Sequence, residues 1–197
     1  MKGTKPYMDV QKMFAPVVNV ITSNQTPNLG DMIQFQRVGY QHWGIYVGNG
    51  RVIHFTLPDW GETWRRVFAG EPQTATVQFD RLEDVAGTLP YAVCNQFDAE
   101  QPPLSPDDIV RRAQSLVGLQ LPYDLMRSNC EHFATMMRYG TPQDGQAGWF
   151  RFTVNPEFAR QIRQRLRERG LLRTVPRPRL TGCPPRTVTR YNRHDEL

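Results

Sequence analysis

The chain has 197 residues, of which 39% are hydrophobic and 15 are glycines, so it can build a core and wholesale disorder is excluded. This length suits one domain with appendages, or two small domains. The longest apolar stretch, residues 13–21, contains Pro16 and Asn19 and is too short to cross a bilayer. It also lacks a cleavage site of small residues, so we expect no secretory signal. Three scattered cysteines are too few for a disulfide framework, which favours a reducing, cytoplasmic location.

Charge is distributed unevenly along the chain, whose formal net charge is +5. Residues 1–150 carry twelve basic and fifteen acidic side chains, whereas residues 151–197 carry twelve arginines and four acids. A mildly acidic body therefore bears a basic tail, which is typical of contact with an anionic membrane surface or a nucleic acid. The alternative is a solvated tail with no dedicated partner, because runs of like charge often only keep a segment hydrated.

The first predicted elements are strands. Residues 1–27 show no sustained hydrophobic period and are predicted to form a flexible N-terminal arm. The strongest strand signal is a hairpin around Gly48-Asn49-Gly50, whose glycines tolerate a positive φ. Residues 58–72 are predicted to be a long loop that contains Trp60 and Trp64. The predicted strands lie near residues 32–35 and at 42–47, 51–55, 74–79 and 91–95.

Three helices follow, each opening with a capping residue. Ser128 and Glu131, three positions apart, fit a capping box at the start of the second helix. Proline, arginine and threonine without any period predict a disordered tail over residues 173–197. The predicted helices span about residues 105–118, 128–140 and 155–169.

The third helix carries a narrow apolar stripe of Phe158, Ile162 and Leu166 among many arginines. One interpretation is a helix that lies on an anionic lipid leaflet. The other interpretation is an ordinary surface helix docked on the domain. In the first case the arginines that would contact lipid headgroups are Arg163, Arg165, Arg167 and Arg169.

Cys130 is the candidate nucleophile. The capping box places it at the second position of its helix, where free backbone N–H groups and the helix dipole favour an anion. We therefore expect a lowered thiol pKa and a larger thiolate fraction. The alternative is a buried structural cysteine, which is the commoner role of this residue type.

His42 and His54 lie on the predicted hairpin, and the length of its loop decides whether they meet. A two-residue turn puts them on opposite faces, whereas the three-residue loop 48–50 places His54 opposite Gly44, on the same face as His42. We predict the three-residue register, because such loops with a left-handed glycine are common. The alternative is two isolated strand histidines.

In the predicted site, His42 removes the thiol proton of Cys130, and His54 holds the imidazole in the productive tautomer. His132 lies two positions after Cys130, roughly 200° around the helix, so we interpret it as a packing residue. A metal site is disfavoured, because the sequence contains no short pair of metal ligands, and no cofactor is expected.

The sequence resembles the lecithin:retinol acyltransferase and HRAS-like suppressor family, also called phospholipase A and acyltransferase proteins. The resemblance covers about residues 28–142. It implies an α+β, permuted papain-like fold as in NlpC-type peptidases, with an antiparallel sheet packed against the helix that bears the nucleophile. The segments that carry it are Gly30-Asp-Met, 42–54, Asp84-Val-Ala-Gly87, 112–118, Asn129-Cys-Glu-His-Phe133 and Arg138-Tyr-Gly140.

The resemblance also implies an activity. The catalytic positions of the family map onto His42, His54 and Cys130, and its members take a fatty acyl chain from a glycerophospholipid onto the cysteine. The chain is passed to water, an amine, a lysophospholipid or, in one branch, retinol. The backbone N–H of Cys130 is the natural oxyanion donor, and the Tyr40 hydroxyl is a weaker candidate. Trp60, Trp64 and Phe68 are predicted either to line the acyl groove or to be core.

Relatives from cells usually carry a hydrophobic C-terminal anchor, in place of which this sequence has its arginine-rich segment. Viral members suggest the alternative of a non-enzymatic interaction module with a membrane- or nucleic-acid-binding tail, and the NlpC-like architecture suggests a cysteine peptidase or amidase. The terminal HDEL matches a retrieval signal that we interpret as accidental. The predicted organisation is an arm over 1–27, a catalytic domain over 28–145, a basic amphipathic helix region over 146–172 and a disordered tail over 173–197.

Overall fold

The structure, a computed structural model, describes residues 26–37, 40–59, 63, 65–67, 69–142 and 154–172. Several predictions lie outside the described residues. They concern the arm up to residue 25, the tail 173–197 with its terminal HDEL, and the aromatic residues Trp60, Trp64 and Phe68.

A single antiparallel sheet forms the centre of the described fold. Its strands are β1 (Met32–Arg37), β2 (Tyr40–Gly48), β3 (Arg51–Thr56), β4 (Gln73–Arg81), β5 (Tyr91–Val93) and β6 (Gln120–Tyr123). They are arranged in the order β5-β1-β2-β3-β4-β6. The sequence predicted all of them except β6, which contains Pro122. Proline is unfavourable inside a sheet, and β6 accommodates it because it pairs only with β4 at the sheet edge.

Four helices have both of their ends in the described part of the chain. They are α1 (Leu82–Ala86), α2 (Pro106–Ser115), α3 (Cys130–Tyr139) and α4 (Pro156–Glu168). Residues 63 and 65–67 are helical as well, so the prediction of a loop over 58–72 is wrong for these positions. The prediction for α2 is confirmed at its start, where the Ser105 hydroxyl accepts a hydrogen bond from the Asp108 backbone N–H and Pro106 occupies the first helical position. The short α1 was not predicted, because five residues carry too little periodicity to be recognised.

Helix α3 begins one residue later than predicted. Ser128 is held in an isolated β-bridge with Asp124, so Asn129 becomes the N-cap and accepts a hydrogen bond from the His132 backbone N–H at 3.0 Å. The His132 ring in turn accepts from the Asn129 backbone N–H at 3.3 Å, which closes a capping box. Cys130 is therefore the first helical residue rather than the second, and the box uses His132 rather than Glu131.

The sheet separates two apolar cores. The larger core lies between one sheet face and α2, α3 and α4, and the smaller core lies between the other face and α1. Large side chains of the first core include Trp43, Phe55, Phe133 and Phe158. The smaller core contains Ile33, Phe35, Val52, Leu82, Val85 and Ala86.

Helix α4 docks on the domain through the predicted stripe. Phe158, Ile162 and Leu166 are fully buried in the larger core, and the ring centroid of Phe158 lies 5.6 Å from that of Phe55. The interpretation as an ordinary docked helix is confirmed, and a stripe laid on lipid is incompatible with this burial. Residues 154–172 therefore share a core with the body of the domain.

No helix in the described ranges has both the length and the apolar character needed to cross a membrane.

Candidate active site

The β2–β3 hairpin brings two imidazoles together on one face of the sheet. Gly44 pairs with His54 as predicted, but the loop has two residues rather than the predicted three. Gly48 pairs with Arg51, and a bulge between Tyr46 and Gly48 shifts the pairing by one residue. His42 therefore lies one diagonal step from His54, and its Nε2 is 2.7 Å from the Nδ1 of His54. An alanine Cβ at Gly44 would lie 3.2 Å from the Cβ of His54, so this glycine leaves the space that the second ring needs.

An acidic residue that the sequence analysis did not single out lies next to His54. The Nε2 of His54 lies 2.9 Å from Oδ2 of Asp80 on β4. The pairing of His54 with Gln78 explains this approach, because Asp80 is two residues further along β4 on the same face. Three titratable side chains thus form one continuous line: His42, His54 and Asp80.

Burial keeps both imidazoles neutral. It lowers the pKa of His42 well below the ordinary 6.5, and the neighbouring His54 and Arg37 lower it further. The pKa of His54 is also lowered by burial, although the hydrogen bond and charge of Asp80 act in the opposite direction. A neutral imidazole is the form that can accept a proton.

The Cys130 sulfur lies against the backbone of β2 on both sides of His42. The thiol is 4.0 Å from the Gln41 carbonyl oxygen, and the sulfur accepts a hydrogen bond from the Trp43 backbone N–H. The Tyr123 hydroxyl also hydrogen-bonds to Cys130. The start of α3 therefore fixes the sulfur beside the strand that carries the first imidazole.

The predicted lowering of the thiol pKa is wrong. Cys130 is only 5% exposed, and its burial raises the pKa of the thiol to about 12. The backbone N–H groups of Trp43, Cys130 and Glu131 act in the opposite direction, as the helix-terminus argument expected, but burial outweighs them. The resting pair is thus a neutral thiol and a neutral imidazole, and the thiol needs a base at the moment of reaction.

A cleft of about 300 Å³ opens over the two histidines. Its walls combine arginine, histidine and aspartate side chains with two tyrosines and a few apolar side chains. Burial raises the pKa of Tyr40 to about 12, so its hydroxyl stays protonated and can donate a hydrogen bond. Lining residues include Arg37, Tyr40, His42, His54, Leu57, Asp80, Asp84, Val85 and Tyr123.

Comparison with known proteins shows the family of this chain. The model of the lecithin retinol acyltransferase family matches residues 25–143. The chain belongs to this family. Human phospholipase A and acyltransferase 2 is 42% identical over 122 residues, which cover 61% of this chain and 75% of the relative. Human phospholipase A and acyltransferase 4 is 40% identical over 119 residues, covering 59% and 73%. Rat phospholipase A and acyltransferase 1 is 35% identical over 131 residues, covering 64% and 77%.

The resemblance stated from the motifs is thereby confirmed, and the matched region of this lecithin retinol acyltransferase family member contains every residue of the cleft. The four arginines that were candidates for contact with lipid headgroups lie on or just after α4, outside the matched region and outside the cleft wall. They are Arg163, Arg165, Arg167 and Arg169. His132 caps α3, as a packing role implies. Within the described ranges, no cluster of three or more histidine, cysteine or acidic side chains could hold a metal ion.

Sequence reasoning missed Asp80 and Tyr123. The alternation of apolar and polar residues over 74–79 could have placed Asp80 on the same face of its strand as Gln78. Only the pairing of β4 with β3 shows that this face lies next to His54. Tyr123 ends the unpredicted strand β6, so no element positioned it.

Proposed function

We propose that the protein is a thiol-dependent phospholipase A and acyltransferase. The observation that carries the proposal is the position of the Cys130 sulfur against the backbone on both sides of His42, with His42 bonded to His54. The relatives named phospholipase A and acyltransferase support the reaction class. The chain order, with histidines on strands before a cysteine that opens a helix, supports the permuted papain-like arrangement.

The proposed reaction has two halves. The Cys130 sulfur attacks the carbonyl carbon of a phospholipid ester while His42 takes the thiol proton, so that a C–S bond forms. The ester C–O bond then breaks, and His42 returns the proton to the departing lysophospholipid oxygen. In the second half, water, an amine or a lysolipid hydroxyl gives a proton to His42 and attacks the thioester carbon. The C–S bond breaks, the acyl product leaves, and His42 returns the proton to the sulfur, which restores the thiol.

The developing oxyanion needs hydrogen-bond donors. The backbone N–H of Cys130 is the first N–H of α3, has no carbonyl acceptor within the helix and hydrogen-bonds to the Cys130 sulfur. Tyr40 lines the cleft together with His42, and, after burial, the charge of Cys130 is among the causes that raise the pKa of its hydroxyl. We assign both as oxyanion donors, with the backbone N–H as the main one.

We further propose that the protein contacts an anionic, cytoplasm-facing membrane leaflet through electrostatic attraction. The apolar stripe of α4 is buried, so insertion of that stripe is not available. Arg163, Arg167 and Arg169 are exposed, and each could contribute about 1 kcal/mol beside an anionic surface. Binding to vesicles that contain phosphatidylserine should weaken steeply with salt and upon charge reversal of these arginines. Retention of duplex DNA or RNA instead would favour a nucleic-acid partner.

The activity is tested with a phospholipid that carries a labelled acyl chain. We expect release of labelled fatty acid by the wild type and loss of release in Cys130→Ala. Cys94→Ala is the matched control, because Cys94 is a free, half-buried cysteine outside the cleft, and it should retain activity. Intact lipid and no labelled protein would contradict the proposal and favour an interaction module. Cleavage of a peptide amide without lipid cleavage would favour a peptidase.

A further inference from the structure

Protons along the His42–His54–Asp80 line can be placed from the distances. A carboxylate has only acceptor sites, so the 2.9 Å contact between Asp80 Oδ2 and His54 Nε2 requires the hydrogen to be on Nε2. A neutral imidazole carries one N–H, and burial disfavours the charged ring. The Nδ1 of His54 is therefore an acceptor.

The same reasoning continues to the next ring. The Nε2 of His42 lies 2.7 Å from the acceptor Nδ1 of His54, so Nε2 of His42 carries the hydrogen. The Nδ1 of His42 then keeps a free lone pair and can accept the thiol proton. Without a carboxylate at its end, the line could reverse: His54 would donate from Nδ1, and His42 would hold its hydrogen on Nδ1, where it cannot act as a base.

We propose that Asp80 is a positioning residue that sets the direction of both histidine N–H groups, and so makes Nδ1 of His42 the base for Cys130. This role rests on the proposed function, because it serves the thiol reaction described above. Asp80 touches His54 and acts through it. When His42 accepts the thiol proton, its ring becomes an imidazolium. The negative charge of Asp80 also stabilises this cation through the hydrogen bonds that join His42, His54 and Asp80.

The surroundings of the line suit this role. The Asp80 side chain is 44% exposed while that of His54 is 7% exposed, so the carboxylate stays partly hydrated as it anchors a buried ring. The other ionisable side chains that line the cleft are Arg37 from β1, Asp84 from α1, Tyr40 from β2 and Tyr123 from β6. Arg37 lowers the pKa of both histidines, whereas Asp80 raises that of His54, so Asp80 opposes the neighbouring cation.

The first test reads the tautomers directly in the resting protein. ¹⁵N NMR of the wild type should show hydrogen on Nε2 and a bare Nδ1 for both His42 and His54. Asp80→Ala should lose this preference, Asp80→Glu should keep it, and Asp80→Asn should keep it in part through its amide oxygen. Glu83→Gln is the matched control, because it removes an exposed charge on α1 away from the cleft, and it should leave the spectra unchanged.

The second test is kinetic. We expect kcat to fall about 100-fold in Asp80→Ala and about tenfold in Asp80→Asn, with KM unchanged, since the loss concerns proton transfer and not binding. The acid limb of the pH profile should move to lower pH in both variants, because the group that raises the histidine pKa is gone. Asp80→Glu should restore the wild-type profile, and Glu83→Gln should not move it.

Hydrogen on Nδ1 of either histidine in the wild type would overturn the proposal even if no Asp80 variant folds. Unchanged tautomers in folded Asp80→Ala would overturn it too, as would a kcat within twofold of wild type. The tautomers are read without substrate, so they separate this proposal from the proposed function. A wild type with the predicted tautomers and no lipid cleavage would refute the activity but not the positioning by Asp80.

Discussion

Replacing Gly44 with alanine tests how tightly the hairpin holds the candidate site. The new Cβ would lie 3.2 Å from the Cβ of His54 and 3.3 Å from the carbonyl oxygen of Ile53, both inside the 3.4 Å at which ordinary van der Waals contact begins. Neither neighbour is the end of a flexible side chain, so β2 and β3 must separate by a few tenths of an ångström. Overpacking of this kind costs about 1–3 kcal/mol. The same shift lengthens the 2.7 Å contact between His42 and His54, which leaves little room for stretching.

The assay combines urea unfolding with release of labelled fatty acid. Gly44→Ala should lose about 1–3 kcal/mol of unfolding free energy and most of its kcat. Gly50→Ala is a matched control: Gly50 has a φ of 66° with no atom within 4 Å of an added Cβ, so it should lose about 1–2 kcal/mol from backbone strain and keep its activity. A Gly44→Ala protein with wild-type stability and activity would refute the reasoning.

Three further predictions concern the core and the titrating groups. Phe158→Ala should cost about 3–5 kcal/mol in urea unfolding and Arg163→Ala less than about 0.5 kcal/mol, because only the former is buried; equal losses would contradict the docked helix. The unfolding free energy should fall as pH drops below 6.5, because His42 binds a proton in the unfolded state but not when it is buried in the folded state. His42→Gln should reduce the slope of unfolding free energy against pH. An unchanged slope would argue against burial of a neutral ring. Alkylation of Cys130, followed by peptide mass spectrometry, should accelerate about tenfold per pH unit between pH 7 and 9, because burial raises the thiol pKa to about 12; a plateau near neutral pH would indicate a preformed thiolate.

The parts of the site that could be predicted are local in the sequence. The glycines around Asn49 located the hairpin, and the predicted pairing of Gly44 with His54 is confirmed, but the predicted loop length is wrong. The turn has two residues, because Gly48 pairs with Arg51, and a bulge between Tyr46 and Gly48 shifts the register so that His42 and His54 share one face. Polar residues at the start of α3 likewise placed Cys130 within the first turn, with an error of one residue because Ser128 is held by a bridge to Asp124.

The parts that were missed depend on tertiary packing. Asp80 reaches His54 through the pairing of β3 with β4, whose register follows a long connection and leaves no local signal. The prediction of a lowered thiol pKa considered the helix terminus alone. Burial of Cys130 between α3 and β2 has the larger effect and raises the pKa. For α4, the stripe was visible in the sequence, but whether it faces protein or lipid could be decided only by the surface it packs against.

The acyl-enzyme intermediate tests the central claim most directly. The wild-type protein is mixed with vesicles of a phospholipid that carries a labelled acyl chain, quenched in acid and analysed by peptide mass spectrometry. The account predicts one acyl group on the peptide that contains Cys130, removed by neutral hydroxylamine as a thioester should be and absent from Cys130→Ala. Release of labelled fatty acid without an acylated Cys130 peptide, at full rate in Cys130→Ala, would contradict it.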